Sequence, residues 1–369
     1  MSATTAHATP QLAIFTEAVD WGGTERVVQA LADRFPTAPI FANHFLNLTA
    51  PGVEPLPWTG RVRLVPSGRR KRHFLGPLYA RRLAETPVGA ARVVLTLASG
   101  GWALAAPVPP GGRHICYLTG PPPPLYGEAQ LYLQNESVAM RPFLLASIPA
   151  LRAYYRRLIR RPHRLVSVSR AAAAAIARVY DREAEVVHPP VRTGFFTPGK
   201  GSARRHFLAV ARVVPQKRLD VLIEAFRHLD ETLVIAGAGP WLGRLRSRAP
   251  ANVRVTGWVD DFTLRELLRS SRALVCPSVE DFGIVMAEAH ACGVPVIAPR
   301  AGGAIDIVDD PATGLLLDRV DPESVAGAVR RFPSLAFDAA ACRASGERFA
   351  EERFTAAIER VLAEELASA

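Results

Sequence analysis

The sequence predicts an α/β protein built from two facing Rossmann-like domains, each with a parallel sheet, and three observations carry that reading. The chain has 369 residues, long for one domain and natural for two of roughly 150–200 residues. In both halves short apolar runs alternate with segments of helical periodicity, the pattern of strands joined by crossover helices. Between the halves lies HPPVRTGFFTPG, residues 188–199, whose prolines and glycines suit a hinge. The boundaries then fall at 1–190 and 191–345, with a last helix, 346–369, expected to cross back to the first domain.

In order along the chain, LAIFT near the start reads as a buried strand, WGG as a loop, and the following segment as a helix with Val27, Val28, Leu31 and Phe35 on one face. ARVVLTLAS (91–99) and HRLVSVS (163–169) read as further buried strands. Residues 107–124 are Pro-rich and end in PPPP, which predicts a rigid surface loop. The second half repeats the alternation. Strands are expected at 207–213, 232–239, 253–259, 273–278 and 295–299. Helices are expected at 219–229, from Trp241, at 264–271 and through Glu288. Such a series makes a parallel sheet covered on both faces, which binds ligands beyond the carboxyl ends of its strands.

Composition narrows the class. Hydrophobic residues make up 49% and charged residues 21%, enough burial to exclude a disordered chain. The four cysteines, Cys116, Cys276, Cys292 and Cys342, show neither paired spacing nor a metal pattern, so no metal site is expected and a reducing compartment fits. The first residues lack a basic start and an apolar signal core, and no run reaches 18 apolar residues, so a cytoplasmic location is expected. The net charge of +11 is uneven: residues 1–190 hold 22 Lys and Arg against 11 Asp and Glu, and the remainder holds 23 of each. The excess concentrates at Arg61 to Arg82, including Arg69, Arg70, Lys71 and Arg72, and in LRAYYRRLIRRPHR, residues 151–164. Two readings stand, a solvated face or an anionic partner such as the inner face of a membrane. In the second, Leu151, Tyr154, Tyr155, Leu158 and Ile159 supply an apolar side for a headgroup layer, although the same residues suit a domain core. No recognition motif accompanies the charge, so nucleic acid is not expected as a partner.

Chemistry concentrates in VCPSVEDFGIVMAEAHACGVPVIA, residues 275–298. A strand ends at Ser278, an acidic loop follows, and Gly283 opens a helix. Free amides at a helix N-terminus attract anions, and a glycine there lets a phosphate reach the backbone of Gly283, Ile284 and Val285. Glu288 stands five residues on, roughly 8 Å along the axis, where a carboxylate can hold a ribose while the helix end holds a diphosphate. Glu280 precedes the helix and can meet the group attached to the last phosphate.

This segment resembles the signature of retaining family-four glycosyltransferases, two glutamates flanking seven residues. WGGTERVVQALA (21–32), ARVVPQKRLDVLIEAF (211–226), VIAGAGPWLGRLR (234–246), VRVTGW (253–258) and AGGAIDIVDDPATGLLLD (301–318) also resemble that family. Residues 166–198 and DFGIV are most similar to its mannosyltransferase branch. The resemblance implies a GT-B fold, an acceptor-side first domain and a nucleotide-sugar-binding second domain. It implies transfer with retention from a nucleotide-diphosphate sugar, GDP-mannose as first guess, to a saccharide, lipid-linked or small-molecule acceptor, with no metal and no cofactor. In that scheme Glu280 positions the sugar ring and Glu288 holds the ribose. Arg212 and Lys217 neutralise the leaving diphosphate; Lys217 is one of three lysines, with Lys71 and Lys200, where arginine is the default cation. Gly22 and Gly23, between strand and helix, can let backbone approach the diphosphate or acceptor, or make an ordinary turn; Gly302 and Gly303 have the same two readings.

One stretch departs from the family. HICYLTGP (114–121) aligns with a run that in the mannosyltransferase branch reads Cys-Tyr-Cys-His-Thr-Pro, which puts Thr119 in place of a histidine thought to touch the donor sugar. A threonine hydroxyl can donate one hydrogen bond but carries no positive charge. His114 falls on the opposite strand face and reads as a structural or surface residue. Thr119 is therefore expected to face the cleft. The competing functions are a nucleotide-sugar epimerase or hydrolase on the same fold, and a non-catalytic nucleotide-sugar-binding protein. GGTER is not a dinucleotide fingerprint, which disfavours a dehydrogenase.

Overall fold

The computed structural model describes residues 12–19, 23–45, 62–64, 76–89, 91–98, 101–127, 129–134, 137–199 and 204–368. The first sheet contains β1 (Leu12–Val19), β2 (Ile40–Phe45), β3 (Val62–Leu64), β4 (Val93–Ala98), β5 (Arg113–Leu118), β6 (Arg164–Ser167) and β7 (Glu185–Val186). Its spatial order is β3-β2-β1-β4-β5-β6-β7 and its pairings are parallel. The second sheet contains β8 (His206–Val210), β9 (Leu233–Ala236), β10 (Val253–Gly257), β11 (Ser271–Val275), β12 (Val296–Pro299) and β13 (Gly314–Leu317), in the order β10-β9-β8-β11-β12-β13 and again parallel. Two parallel sheets covered by helices make the GT-B architecture.

Strand order reverses between β1 and β4 in the first sheet, and between β8 and β11 in the second. At such a switch point the connections leave in opposite directions and open a crevice beyond the strand ends. Central strands are mostly apolar because both faces are covered: Ile14, aligned with Ile40 on one side and Leu95 on the other, is fully buried.

The expected surface loop over residues 107–124 is corrected. It contains β5, a strand lying between β4 and β6 whose Ile115, Cys116, Tyr117 and Leu118 are buried. The prolines bracket this strand rather than dissolve it, because the apolar run has two neighbours to pair with. His114 is interior, 3.1 Å from the Thr96 hydroxyl, and burial pushes its imidazole down to about 3. Of the apolar residues proposed for a membrane face, Tyr155, Leu158 and Ile159 pack into the core, while Leu151 and Tyr154 are half-buried. Arg69, Arg70, Lys71 and Arg72 lie outside the described residues.

The helix Glu351–Ala367 lies against the first sheet, reaching β4 and β5. Its Phe354 meets the Tyr117 ring edge-on, and Glu364 accepts from Arg164 at 2.6 Å. Where it leaves the second domain, Ala350 pairs with Val191 in a parallel bridge. The rings of Phe349, His188 and Phe282 pack around that crossing, the Phe349 ring edge-on to the other two.

Candidate active site

The loops that leave β8 and β11 meet beyond the second sheet. After β8 the chain turns through Pro215–Lys217, which brings the Lys217 ammonium to the loop after β11. Its Nζ donates to both oxygens of Glu280, at 2.7 and 2.5 Å, and Ser278 Oγ donates to Glu280 Oε1 at 2.5 Å. Lys217 and Glu280 each keep about a fifth of their side chains exposed, enough to reach a molecule in the crevice. The Arg212 guanidinium is exposed and has no ion pair or hydrogen bond among the described residues, so its charge is uncommitted.

Gly283 opens the helix Ile284–Ala291 at φ +93°, a left-handed conformation that glycine adopts without strain. No side chain caps this helix, so the amides of its first turn are open to an anion. By contrast, Ser169 caps the helix Arg170–Tyr180 through the Ala172 amide.

Glu288, in the second turn, is buried. Burial pushes its carboxyl upward, opposed chiefly by Arg26, whose Nε is 3.8 Å from Glu288 Oε1.

Gly302 and Gly303 resolve toward packing. The Gly303 amide donates to Glu280 O at 2.8 Å, and a Cβ there would meet Phe282 O at 2.1 Å. They brace the loop that presents Glu280.

From the first domain, a Cβ on Gly23 would stand 3.3 Å from Ile284 Cδ1. Two helix starts, one from each domain, therefore face one cleft. Gly22 lies outside the described residues. Thr119 follows β5 directly and is half-buried, and the Cβ position of its neighbour Gly120 is 3.5 Å from Asp281 Oδ1. Ser169 Oγ donates to Asp281 O at 2.6 Å. The structure thus brings Gly23, Thr119, Lys217, Glu280, Gly283, Ile284, Val285 and Glu288 to the same interdomain edge, with Arg212 in the loop that follows β8.

Sequence reasoning passed over several groups here. Ser278 orients Glu280. Asp306, almost wholly buried, accepts from the Arg170 amide at 2.8 Å and its Nε at 2.6 Å, and pairs with His188 Nε2 at 3.1 Å. These contacts hold its carboxyl down to about 2. Arg26 and Asp261 form a third tie between the domains. Arg26 lies in WGGTER and Asp306 in AGGAIDIV, each a few residues past a glycine pair.

Residues 192–348, which carry Lys217, Glu280 and Glu288, match the family described as Glycosyl transferases group 1. The chain is 30% identical over 214 residues to the GDP-mannose-dependent alpha-(1-6)-phosphatidylinositol monomannoside mannosyltransferase of Mycolicibacterium smegmatis, covering 49% of this chain and 56% of that protein. It is 34% identical over 174 residues to the D-inositol 3-phosphate glycosyltransferase of Mycolicibacterium vanbaalenii, covering 39% of each. The chain thus spans about half or less of the length of these curated relatives. Its fold is similar to that of Anabaena HepE crystallised with UDP and glucose, with a TM-score of 0.70 at 16% identity over 96% of this chain and 99% of that one.

Proposed function

We propose that residues 192–348 are a group 1 glycosyl transferase domain and that, together with the first domain, they form a retaining, metal-independent glycosyltransferase. It takes a sugar from a nucleotide-diphosphate donor, GDP-mannose first, to a hydroxyl of a saccharide, lipid-linked or small-molecule acceptor. The observation that carries this reading is the Lys217–Glu280 pair set beside the uncapped helix start at Gly283, at the switch point of one sheet and facing the other. Two relatives are named for GDP-mannose and for D-inositol 3-phosphate, which supports the donor class and a polyol hydroxyl as nucleophile.

In this scheme the amides of Ile284 and Val285 take the diphosphate, and Glu288 takes the ribose. Arg212 and Lys217 offset the charge that grows on the leaving oxygen. Glu280 accepts from sugar hydroxyls, and Thr119 approaches the ring from the first domain. The bond from the anomeric carbon to the phosphate oxygen breaks as the acceptor oxygen bonds to that carbon on the same face. The departing phosphate takes the acceptor's proton, so no protein nucleophile is required.

The reading extends to an anionic membrane surface on the first domain. From residue 137 to residue 180 the chain holds nine arginines and no Asp or Glu. Val138, Phe143 and Leu145 stand out at 74%, 69% and 46% exposure. Arg152, Arg156, Arg157 and Arg160 line a shallow groove of about 390 Å³ along the helix Arg141–Leu158. Each such cation near anionic lipid contributes about 1 kcal/mol, an effect that salt screens.

Three experiments test the proposal. In a thermal-shift series of nucleotide sugars, GDP-mannose is expected to raise the melting temperature most; a shift with UDP-sugars alone rejects that donor. Lys217→Ala is expected to lower turnover by about 10²–10³-fold, and wild-type turnover would remove Lys217 from the mechanism. Flotation with anionic vesicles at low and high salt addresses the membrane: binding at low salt only is expected, and no binding at either ends the idea.

A further inference from the structure

Arg26 is the fourth residue of the first-domain helix Gly23–Arg34, yet its guanidinium serves the other domain. Nη1 donates to Asp261 Oδ2 at 3.0 Å and Nη2 to Asp261 Oδ1, a two-pronged grip, while Nε lies 3.8 Å from Glu288 Oε1. Arg192, in the joint between the sheets, donates to the same Asp261 carboxylate. Two cations and two carboxylates, drawn from both domains and the joint, thus form one charge-balanced cluster. Arg26 keeps 17% of its side chain exposed and Glu288 5%.

A carboxylate so far from water is costly to keep charged unless a cation faces it. For Glu288 that cation is first Arg26 and then Arg192, while Asp261 opposes them. Three further titratable groups surround the cluster. Cys292 caps the C-terminal end of the helix that carries Glu288, Glu25 adjoins Arg26, and Glu351 of the last helix faces Arg192 and Arg26. Opening the cleft would withdraw Arg26 and strand Glu288.

We infer that Arg26 is a positioning residue that crosses the cleft to keep the Glu288 carboxylate ionised and oriented for the donor's ribose, so that domain closure completes the nucleotide subsite. The inference rests on the transferase reading for the role of Glu288. Arg26 touches neither donor nor acceptor in this scheme; it acts through the carboxylate.

The test is equilibrium binding of GDP and of UDP to the full chain between pH 6 and pH 8. The wild type is expected to bind one of them with little pH dependence. Arg26→Gln is expected to bind roughly 10–100-fold more weakly. Its affinity should improve as the pH rises, because a Glu288 without its cation must lose a proton before it can accept the ribose hydroxyls. Arg26→Lys should recover part of the affinity. Asp261→Asn, which leaves Arg26 facing Glu288, should keep the flat profile. A folded Arg26→Gln protein with wild-type affinity and a flat profile overturns the role of Arg26 and leaves the transferase reading standing. A wild type that binds neither nucleotide overturns both. Should Arg26→Gln not fold, Arg26→Lys decides: about a tenfold loss supports the inference, and an unchanged constant overturns it.

Discussion

Replacing Gly303 by alanine isolates how firmly the catalytic loop is held. Gly303 has φ −72° and ψ −13°, which alanine adopts freely, so the substitution carries no backbone penalty. What it adds is an atom 2.1 Å from Phe282 O, 2.3 Å from its Cα and 2.5 Å from its carbonyl carbon. Non-bonded carbon contacts settle at about 3.5–4.0 Å, so the two backbones must part by about 1 Å or more. The segment displaced is 280–283, which presents Glu280 and opens the helix at Gly283, and the Glu280 O to Gly303 amide bond of 2.8 Å is stretched with it. Overpacking of this kind costs about 1–3 kcal/mol, and a 1 Å misplacement of reacting groups lowers turnover about 10²-fold. Chemical denaturation and steady-state transfer from the donor identified by thermal shift measure the two effects. Gly327→Ala is the control, because nothing lies within 4 Å of its Cβ position inside the helix Pro322–Arg331; it should stabilise by about 1 kcal/mol with normal turnover. Wild-type activity and stability in Gly303→Ala would show that the loop is not braced at this contact.

Thr119→Ala is expected to reduce turnover and Thr119→His to alter donor affinity; if neither constant moves, Thr119 is not a site residue. Burial holds His290 down to about 4 and His114 to about 3. The unfolded chain therefore binds their protons first, near pH 6.5, and folding stability should fall as the pH drops from there toward 4. Urea midpoints at pH 7 and pH 4.5 check this, and equal midpoints would contradict it.

Much of the second domain was legible because its signals are local. Strand, glycine turn and amphipathic helix follow each other within a few dozen residues, and Glu280, Gly283 and Glu288 lie on one continuous segment. The first sheet was harder to read. β5 is flanked by prolines that suggest a loop when only neighbours in sequence are considered, and β2, β3 and β7 are short or weakly patterned. What sequence reasoning missed in the site is of one kind: Arg26 with Asp261, Arg170 with Asp306, and Ser278 with Glu280. The first two pairs join residues more than a hundred positions apart, and no periodicity or spacing records such a meeting. Ser278, expected to end a strand, lies in the loop after β11, which ends at Val275, and its role depends on a rotamer.

The terminal helix gives the molecule an unusual order of assembly. Phe354, Ile358, Val361 and Leu362 are buried, and the helix that carries them packs on strands of the first sheet. On the ribosome, where synthesis runs from the first residue onward, the described strands of the second sheet are complete by Leu317, while the first still waits for a layer made some 35–50 residues later. The domain begun first is thus finished last, and until then it exposes the apolar surface that Tyr117 shares with Phe354. Shortening the chain before residue 351 would damage the half of the protein farthest away in sequence.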